Sequence, residues 1–162
     1  MRILLISSEF PPGPGGIGRH AADLSLALVS RSYVVDVYSS IDYVTDGSIS
    51  LYRNELPPNI ILHRFKRLGI LTYPLRILLV INAVRLNNYS RIILTGKFPL
   101  WIGGIIKILH GKNRKAECFV HGSEINPGSR LNRILTHWAL GKADIIWAVS
   151  EFTRSILPVK IR

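Results

Sequence analysis

A chain of 162 residues, 48% hydrophobic and 19% charged, is long enough to bury a core and too apolar to be disordered. Its single cysteine excludes a disulfide framework and suits a reducing cytosol, and no clustered thiolates or histidines offer a zinc site. The formal charge of +11, from 21 Lys and Arg against 10 Asp and Glu, favours anionic partners such as phosphorylated substrates, lipid headgroups or nucleic acid.

The chain opens on an apolar run, residues 2–7, which reads as a strand and is too short for the apolar core of a secretory signal. Glu9 and the turn Pro11-Pro12-Gly13-Pro14-Gly15-Gly16 follow. A helix comes next, because Ile17, Ala21, Leu24 and Leu28 share one face while Arg19, Asp23 and Arg31 fall elsewhere. Runs at 34–39 and 60–63 predict two further strands. Between them, 41–59 is polar and holds Asp46-Gly47 and Pro57-Pro58, so it reads as a loop or small excursion.

Pro74 marks a helix reaching about Asn87. Its apolar part, 75–86, falls short of the roughly 18–20 residues of a membrane span and is broken by Arg76, Asn82 and Arg85. The expected protein is therefore soluble or at most peripheral to a membrane. A strand at 91–95, a helix from Pro99 closed by Gly111, a strand at 117–120, a helix at 129–140 and a strand at 144–149 complete the chain. Continuous apolar strands alternating with helices predict an α/β fold: a Rossmann-like, doubly wound, mainly parallel sheet with helices on both faces. No internal repeat or low-complexity tract interrupts it.

In such a sheet, ligands bind beyond the carboxyl ends of the strands, and the first strand-to-helix turn is a favoured place. Gly15 and Gly16 lie in that turn, where the absence of side chains lets backbone N–H groups approach a phosphate at a helix N-terminus. A tight turn needing positive φ explains the same glycines without a ligand. Gly13, Gly15 and Gly18 also match the G-x-G-x-x-G dinucleotide fingerprint, with Asp36 at about the expected 20-residue separation. Against that reading, four residues separate Ser8 from the first glycine, and the strand runs on past Asp36.

Two more turns fall on the same edge. His121 and Glu124, in Phe119-Val120-His121-Gly122-Ser123-Glu124, leave the fifth strand, where an imidazole can hydrogen-bond a hydroxyl or phosphate. A backbone-bonded structural histidine is the alternative, and His20, His63, His110 and His137 are assigned that role. Ser150, in Ala148-Val149-Ser150-Glu151-Phe152-Thr153-Arg154, is an N-cap with Glu151 in the first turn, and the turn faces the same edge.

In this order, the segments 3–20, His121-Gly122 and Ala148-Val149-Ser150 with Arg154 resemble glycosyltransferase family 4, whose members are retaining enzymes of the two-domain GT-B fold. The resemblance covers essentially the whole chain and identifies residues 1–162 as the amino-terminal, acceptor-side domain. It implies transfer of a sugar from a nucleotide-diphosphate donor, a co-substrate, to a glycan, lipid-linked or small-molecule acceptor. No metal or other cofactor is implied. Gly15 and Gly16 would approach the donor diphosphate or transferred sugar, and His121 would act as the catalytic histidine, contacting that sugar. Glu124, Arg130, Ser150 and Arg154 are the candidates for the acceptor side. Where the family often has Gly-His before its second strand, this chain has Ser32-Tyr33. The family's second domain, with its diphosphate-binding basic residues and paired glutamates, is expected to be absent, leaving this chain inactive alone.

Other readings remain open. Arg64, Lys66 and Arg67 before the apolar stretch 75–84 could form a basic amphipathic surface for an anionic membrane. Many family members act on lipid-linked acceptors, so a cytoplasmic place, peripheral at the inner membrane face, is expected. A nucleic-acid binder would interleave aromatics with its basic residues or carry a recognition helix signature, and none is present. An NAD(P)-type dinucleotide module is the remaining alternative.

Overall fold

The apolar runs pair as six strands: β1 (Arg2–Ser7), β2 (Val34–Ser40), β3 (Ile60–Phe65), β4 (Arg91–Thr95), β5 (Ala116–Val120) and β6 (Ile145–Ala148). They form one sheet in the order β3-β2-β1-β4-β5-β6, with every neighbouring pair parallel. The helices are α1 (Gly16–Val29), α2 (Asp46–Glu55), α3 (Thr72–Leu86), α4 (Lys97–His110), α5 (Arg130–Leu140) and α6 (Glu151–Ser155), with a 3-10 turn, Gly69–Leu71, leading into α3. These assignments come from a computed structural model that describes residues 1–41, 44–111, 114–125 and 128–158.

The period-2 alternation of the strands feeds two cores. Ile3, Leu5, Val35, Val37 and Ile93 pack under α1 and α2, whereas Leu4, Ile6, Ile92 and Leu94 pack under α3, α4 and α5. Each such side chain contributes about 1.5–3 kcal/mol when fully buried. The helices divide between the faces because right-handed crossovers put a helix on opposite sides when the strand order advances in opposite directions. The order reverses between β1 and β4, so the predicted doubly wound fold is observed and its switch point lies there.

Two expectations need correction. The interval 41–59 contains a helix, α2, whose N-cap Thr45 accepts a hydrogen bond from the Ser48 amide, with Asp46 in the first turn. Only Ile49 of this helix is buried, so its apolar period is too sparse to read, and Asp46-Gly47 opens a helix instead of a hairpin. Residues 42 and 43 lie outside the described set. Second, the helical stretch Gly69–Leu86 is 18 residues long with a mean hydropathy of 1.5, enough by length and composition to cross a membrane. It exceeds the expected 75–86 because Pro74 sits inside the first turn, where no intrahelical N–H bond is lost. Val80, Ala83 and Val84 nevertheless pack against the sheet, making α3 part of the α/β layer.

One buried charge pins the fold at β2. Asp36 is fully buried on the α3 face; it accepts hydrogen bonds from Arg2, with Nη2 at 2.9 Å, and its Oδ1 lies 3.2 Å from His63 Nε2. Burial alone would raise its pKa, but the hydrogen bonds from His63, Arg2 and Tyr89 prevail and hold it at about 2, against 3.8 unperturbed. A depressed carboxylate stabilises the fold above its unfolded pKa and loses that contribution as pH falls through the folded value. Thermal melts taken from pH 5 downward are therefore expected to lose about 2 kcal/mol from this group between about pH 4 and pH 2. An Asp36→Asn variant should lack that part of the acid transition, retaining the part due to Glu117 and Asp144, whose pKa values are also lowered.

Candidate functional site

At the carboxyl edge of the sheet, β1 and β4 stay joined past their ends, with the Ser8 amide donating to the Thr95 carbonyl at 3.0 Å. Phe10 is fully buried and anchors the glycine turn, which closes with a bond from the Gly13 amide to the Phe10 carbonyl. Gly18 lets α1 lie against this turn, since a Cβ there would come within 3.0 Å of the Phe10 nitrogen.

The helix N-termini on this edge differ in a way that matters for anions. The α2 and α6 ends are capped by Thr45 and Ser150 and carry acids in their first turns. Those of α1, α3, α4 and α5 have no side-chain cap and no acid in the first turn, and of these α1 and α4, on either side of the switch point, are fronted by glycines, Gly15 and Gly96. Both glycines have positive φ, 128° and 92°. At the exposed start of α1 the orphan N–H groups and the helix dipole are open to an anion or a polar oxygen, whereas Gly96 is buried against Ser8, leaving the half-buried Lys97 as the accessible part of the α4 end. Lys97 adds a cation at the start of α4, 5.8 Å from the Trp101 ring centroid.

His121 stands beside this opening. Its Nε2 lies 2.8 Å from the Thr95 hydroxyl, and its amide donates to Glu124 Oε2 at 3.1 Å. The turn is completed by Gly122, at φ 105°. His20, on α1, packs edge-on to His121 with ring centroids 5.1 Å apart. Burial, and then the proximity of His121, lower the pKa of His20, keeping it neutral at pH 7. Its buried Nδ1 has no hydrogen-bond partner among the described residues.

The edge thus places Gly15 and Gly16, at the start of α1, on the same side of the sheet as His121, which His20 of α1 touches. Gly15 and Gly16 are exposed, as a ligand-facing turn requires. Glu124 is only 2% exposed, and its carboxylate turns inward to hold the His121 amide and approach the Ser123 hydroxyl. Ser150 caps α6, its hydroxyl accepting from the Thr153 amide at 3.1 Å. Arg154 is exposed and lies 3.6 Å from Glu151, and Arg130 is exposed at the first turn of α5. Among the described residues, no His, Cys, Asp and Glu group is arranged to hold a metal.

Three features of this edge carry no clear mark in the sequence. His20 reads by sequence as a structural histidine, although its place near the start of a helix at this edge is a signal that could single it out. Thr95-Gly96 leaves β4 at the switch point, the same signal that marked His121-Gly122 after β5. Glu9 is the third: a Cβ on Gly15 would overlap its carboxylate. A carboxylate there suits sugar hydroxyls better than a phosphate.

The two glycines make separable predictions. Gly15 adopts a conformation essentially restricted to glycine, so Gly15→Ala is expected to cost about 1–3 kcal/mol of stability and to weaken ligand binding. A Cβ on Gly16 meets nothing within 4 Å, so Gly16→Ala should leave the melting temperature unchanged while still obstructing a ligand. Calorimetric melts and titrations with nucleotide sugars on both variants would check the pair.

The buried position of Asp36 in the middle of β2, occupied by Arg2 and His63, leaves it unavailable to a nucleotide ribose. The family model for glycosyltransferase family 4 matches residues 14–158, which include Gly15, Gly16, His121 and Ser150. The chain belongs to glycosyltransferase family 4. No match was found among curated proteins. Among solved structures, the family 4 chain resembles Anabaena HepE in complex with UDP, at a TM-score of 0.68 and 17% identity, covering 96% of this chain and 40% of that one. It also resembles sucrose-phosphate synthase from Thermosynechococcus elongatus (TM-score 0.69, 17% identity, 96% and 44% covered). UDP-GlcNAc 2-epimerase from Methanocaldococcus jannaschii follows the same fold (TM-score 0.60, 12% identity, 96% and 41% covered). The chain thus spans less than half the length of each, and the likeness is that of one Rossmann-like GT-B domain.

Proposed function

We propose that this chain is the acceptor-side half of a retaining glycosyltransferase that moves a sugar from a nucleotide-diphosphate donor to an acceptor. The observation that carries the reading is the pairing, across the switch point of a family 4 domain, of two uncapped glycine-fronted helix N-termini with the His121–Thr95 pair. Backbone N–H groups of Gly15 and Gly16 meet the transferred sugar or the donor phosphate, and His121 donates a hydrogen bond to that sugar as charge develops. Arg130, Ser150 and Arg154 line the acceptor side, and Glu124 acts through His121 by fixing its turn. The acceptor is a glycan, a lipid-linked saccharide or a small molecule.

The cleft has one wall in this chain. Its partner would be a second donor-binding domain supplying the basic groups for the diphosphate, with no metal or cofactor required. The 162-residue chain alone is then expected to fold but not to turn over. Release of nucleoside diphosphate from UDP- and GDP-sugars, measured with the chain alone and with it joined to a donor-binding domain, tests this. Turnover by the pure chain would overturn the division of labour, and no turnover in the joined protein would overturn the transferase reading.

A further inference from the structure

The charge excess is not spread along the chain. Residues 56–116 hold eleven Lys and Arg and no Asp or Glu, so the whole +11 falls within them. Part of it is neutralised locally, since Arg64 pairs with Asp46, Arg91 with Glu117, and Lys107 with Asp144. Lys66 and Arg67 are exposed, and no described carboxylate pairs with them. Directly after them the apolar side chains turn outward: Leu68, Leu71 and Tyr73 are more than half exposed, and Ile70 is 92% exposed. Leu78 and Leu79 continue this surface along α3. Exposed apolar surface of this kind marks an interaction site, and the cations beside it favour a partner that is anionic as well as apolar.

Next to this tip, a recess of about 660 Å³ opens between α2, β3 and α3. Arg53, His63, Arg64 and Lys66 line it, and Asp46 is the one acid among its lining residues. The recess reaches Leu79, so a cationic hollow and the apolar surface are continuous. The tip follows the carboxyl end of β3, which puts it on the same edge as the candidate site. Tyr73 connects the two, its ring 4.9 Å from that of Phe98 in the first turn of α4, one residue after Lys97.

We propose that residues 66–79 dock this domain on an anionic lipid bilayer, with Leu68, Ile70 and Leu71 entering the acyl boundary and lipid phosphates seated over Lys66, Arg67 and the recess. The charge complementarity selects a lipid surface over a second copy of the chain, which would bring like charges together. Docking in this pose turns the cleft toward the bilayer, so the acceptor would be lipid-borne. That last step rests on the transferase reading, whereas the docking itself does not.

Cosedimentation of the chain with vesicles of phosphatidylcholine, or of an equal mixture with phosphatidylglycerol, tests the proposal. Binding is expected on the mixed vesicles, weak on the neutral ones and reversed by salt. Lys66→Gln with Arg67→Gln should weaken partitioning by roughly 25-fold, at about fivefold per charge. Ile70→Ser should weaken it by roughly tenfold or more, without moving the melting temperature of so exposed a position. Lys142→Gln, at the opposite edge, should change nothing. Equal binding to both vesicles, no binding to either, or binding indifferent to these variants overturns the proposal. So does a lipid-free dimer in sedimentation equilibrium that Ile70→Ser dissociates, since a second copy would then be the occupant. Nucleotide-sugar titrations of the same variants should remain unchanged, which separates a failure here from a failure of the transferase reading.

Discussion

Replacing His121 by alanine is expected to slow glycosyl transfer by about 100-fold or more when the chain is joined to a donor-binding domain, with the melting temperature nearly unchanged. The size follows from preorganisation. The imidazole is set by the Thr95 hydroxyl at 2.8 Å from Nε2, by Glu124 holding its backbone amide, and by the edge-on ring of His20. The Thr95 hydroxyl can donate to Nε2, the arrangement that puts the ring proton on Nδ1, where a sugar oxygen can accept it. A donor fixed in this way needs no reorganisation as charge develops, so its loss falls mainly on kcat. His121→Asn retains a donor and should recover part of the rate. Thr95→Val leaves the imidazole but frees its tautomer, and a drop of about tenfold in kcat with little change in KM is expected. Steady-state kinetics on the three variants distinguishes a hydrogen-bonding role from a packing one, because packing would respond in the melting temperature and not in kcat.

The second large effect is on stability. Asp36→Ala is expected to cost about 3 kcal/mol, which for a domain of this size corresponds to roughly 10 °C in the melting temperature. The substitution leaves the Arg2 and His63 side chains without their anion, but these are 40% and 38% exposed and can recover water. That recovery puts the cost at the low end for breaking a buried pair. The Tyr89 hydroxyl, a hydrogen-bond partner of Asp36 in a buried side chain, loses its acceptor as well. Calorimetric melts at pH 7 check the value, and a change below about 1 kcal/mol would mean that the carboxylate merely offsets its own desolvation.

The sheet was legible because buried parallel strands leave uninterrupted apolar runs, such as Ile3-Leu4-Leu5-Ile6 and Ile92-Ile93-Leu94, which only a doubly covered sheet can use. Helix α2 was not, because a helix that buries one residue leaves hardly any period. The reach of α3 was hidden by Pro74, which reads as a helix start and is in fact the third helical residue. At the site, the local signals were strand exits carrying glycine, and these exposed Gly15, Gly16 and His121. Contacts between distant strands carry no such local mark. The His20–His121 packing joins residues 101 positions apart, and the approach of Glu9 to Gly15 depends on how the turn folds back. Ser150 was legible as a cap because the Ser-Glu pair and the strand before it are contiguous in sequence.

The proposed function makes the carboxyl edge at the β1–β4 switch point one wall of a nucleotide-sugar cleft. Backbone amide shifts of the chain, followed by NMR during titration with UDP-glucose, UDP-GlcNAc and GDP-mannose, address it most directly. At least one of these donors is expected to shift Gly15, Gly16, Lys97 and the His121–Gly122 turn together, with weak affinity. Shifts confined to the recess between α2 and β3, or no shifts at this edge with any of the three, would contradict it.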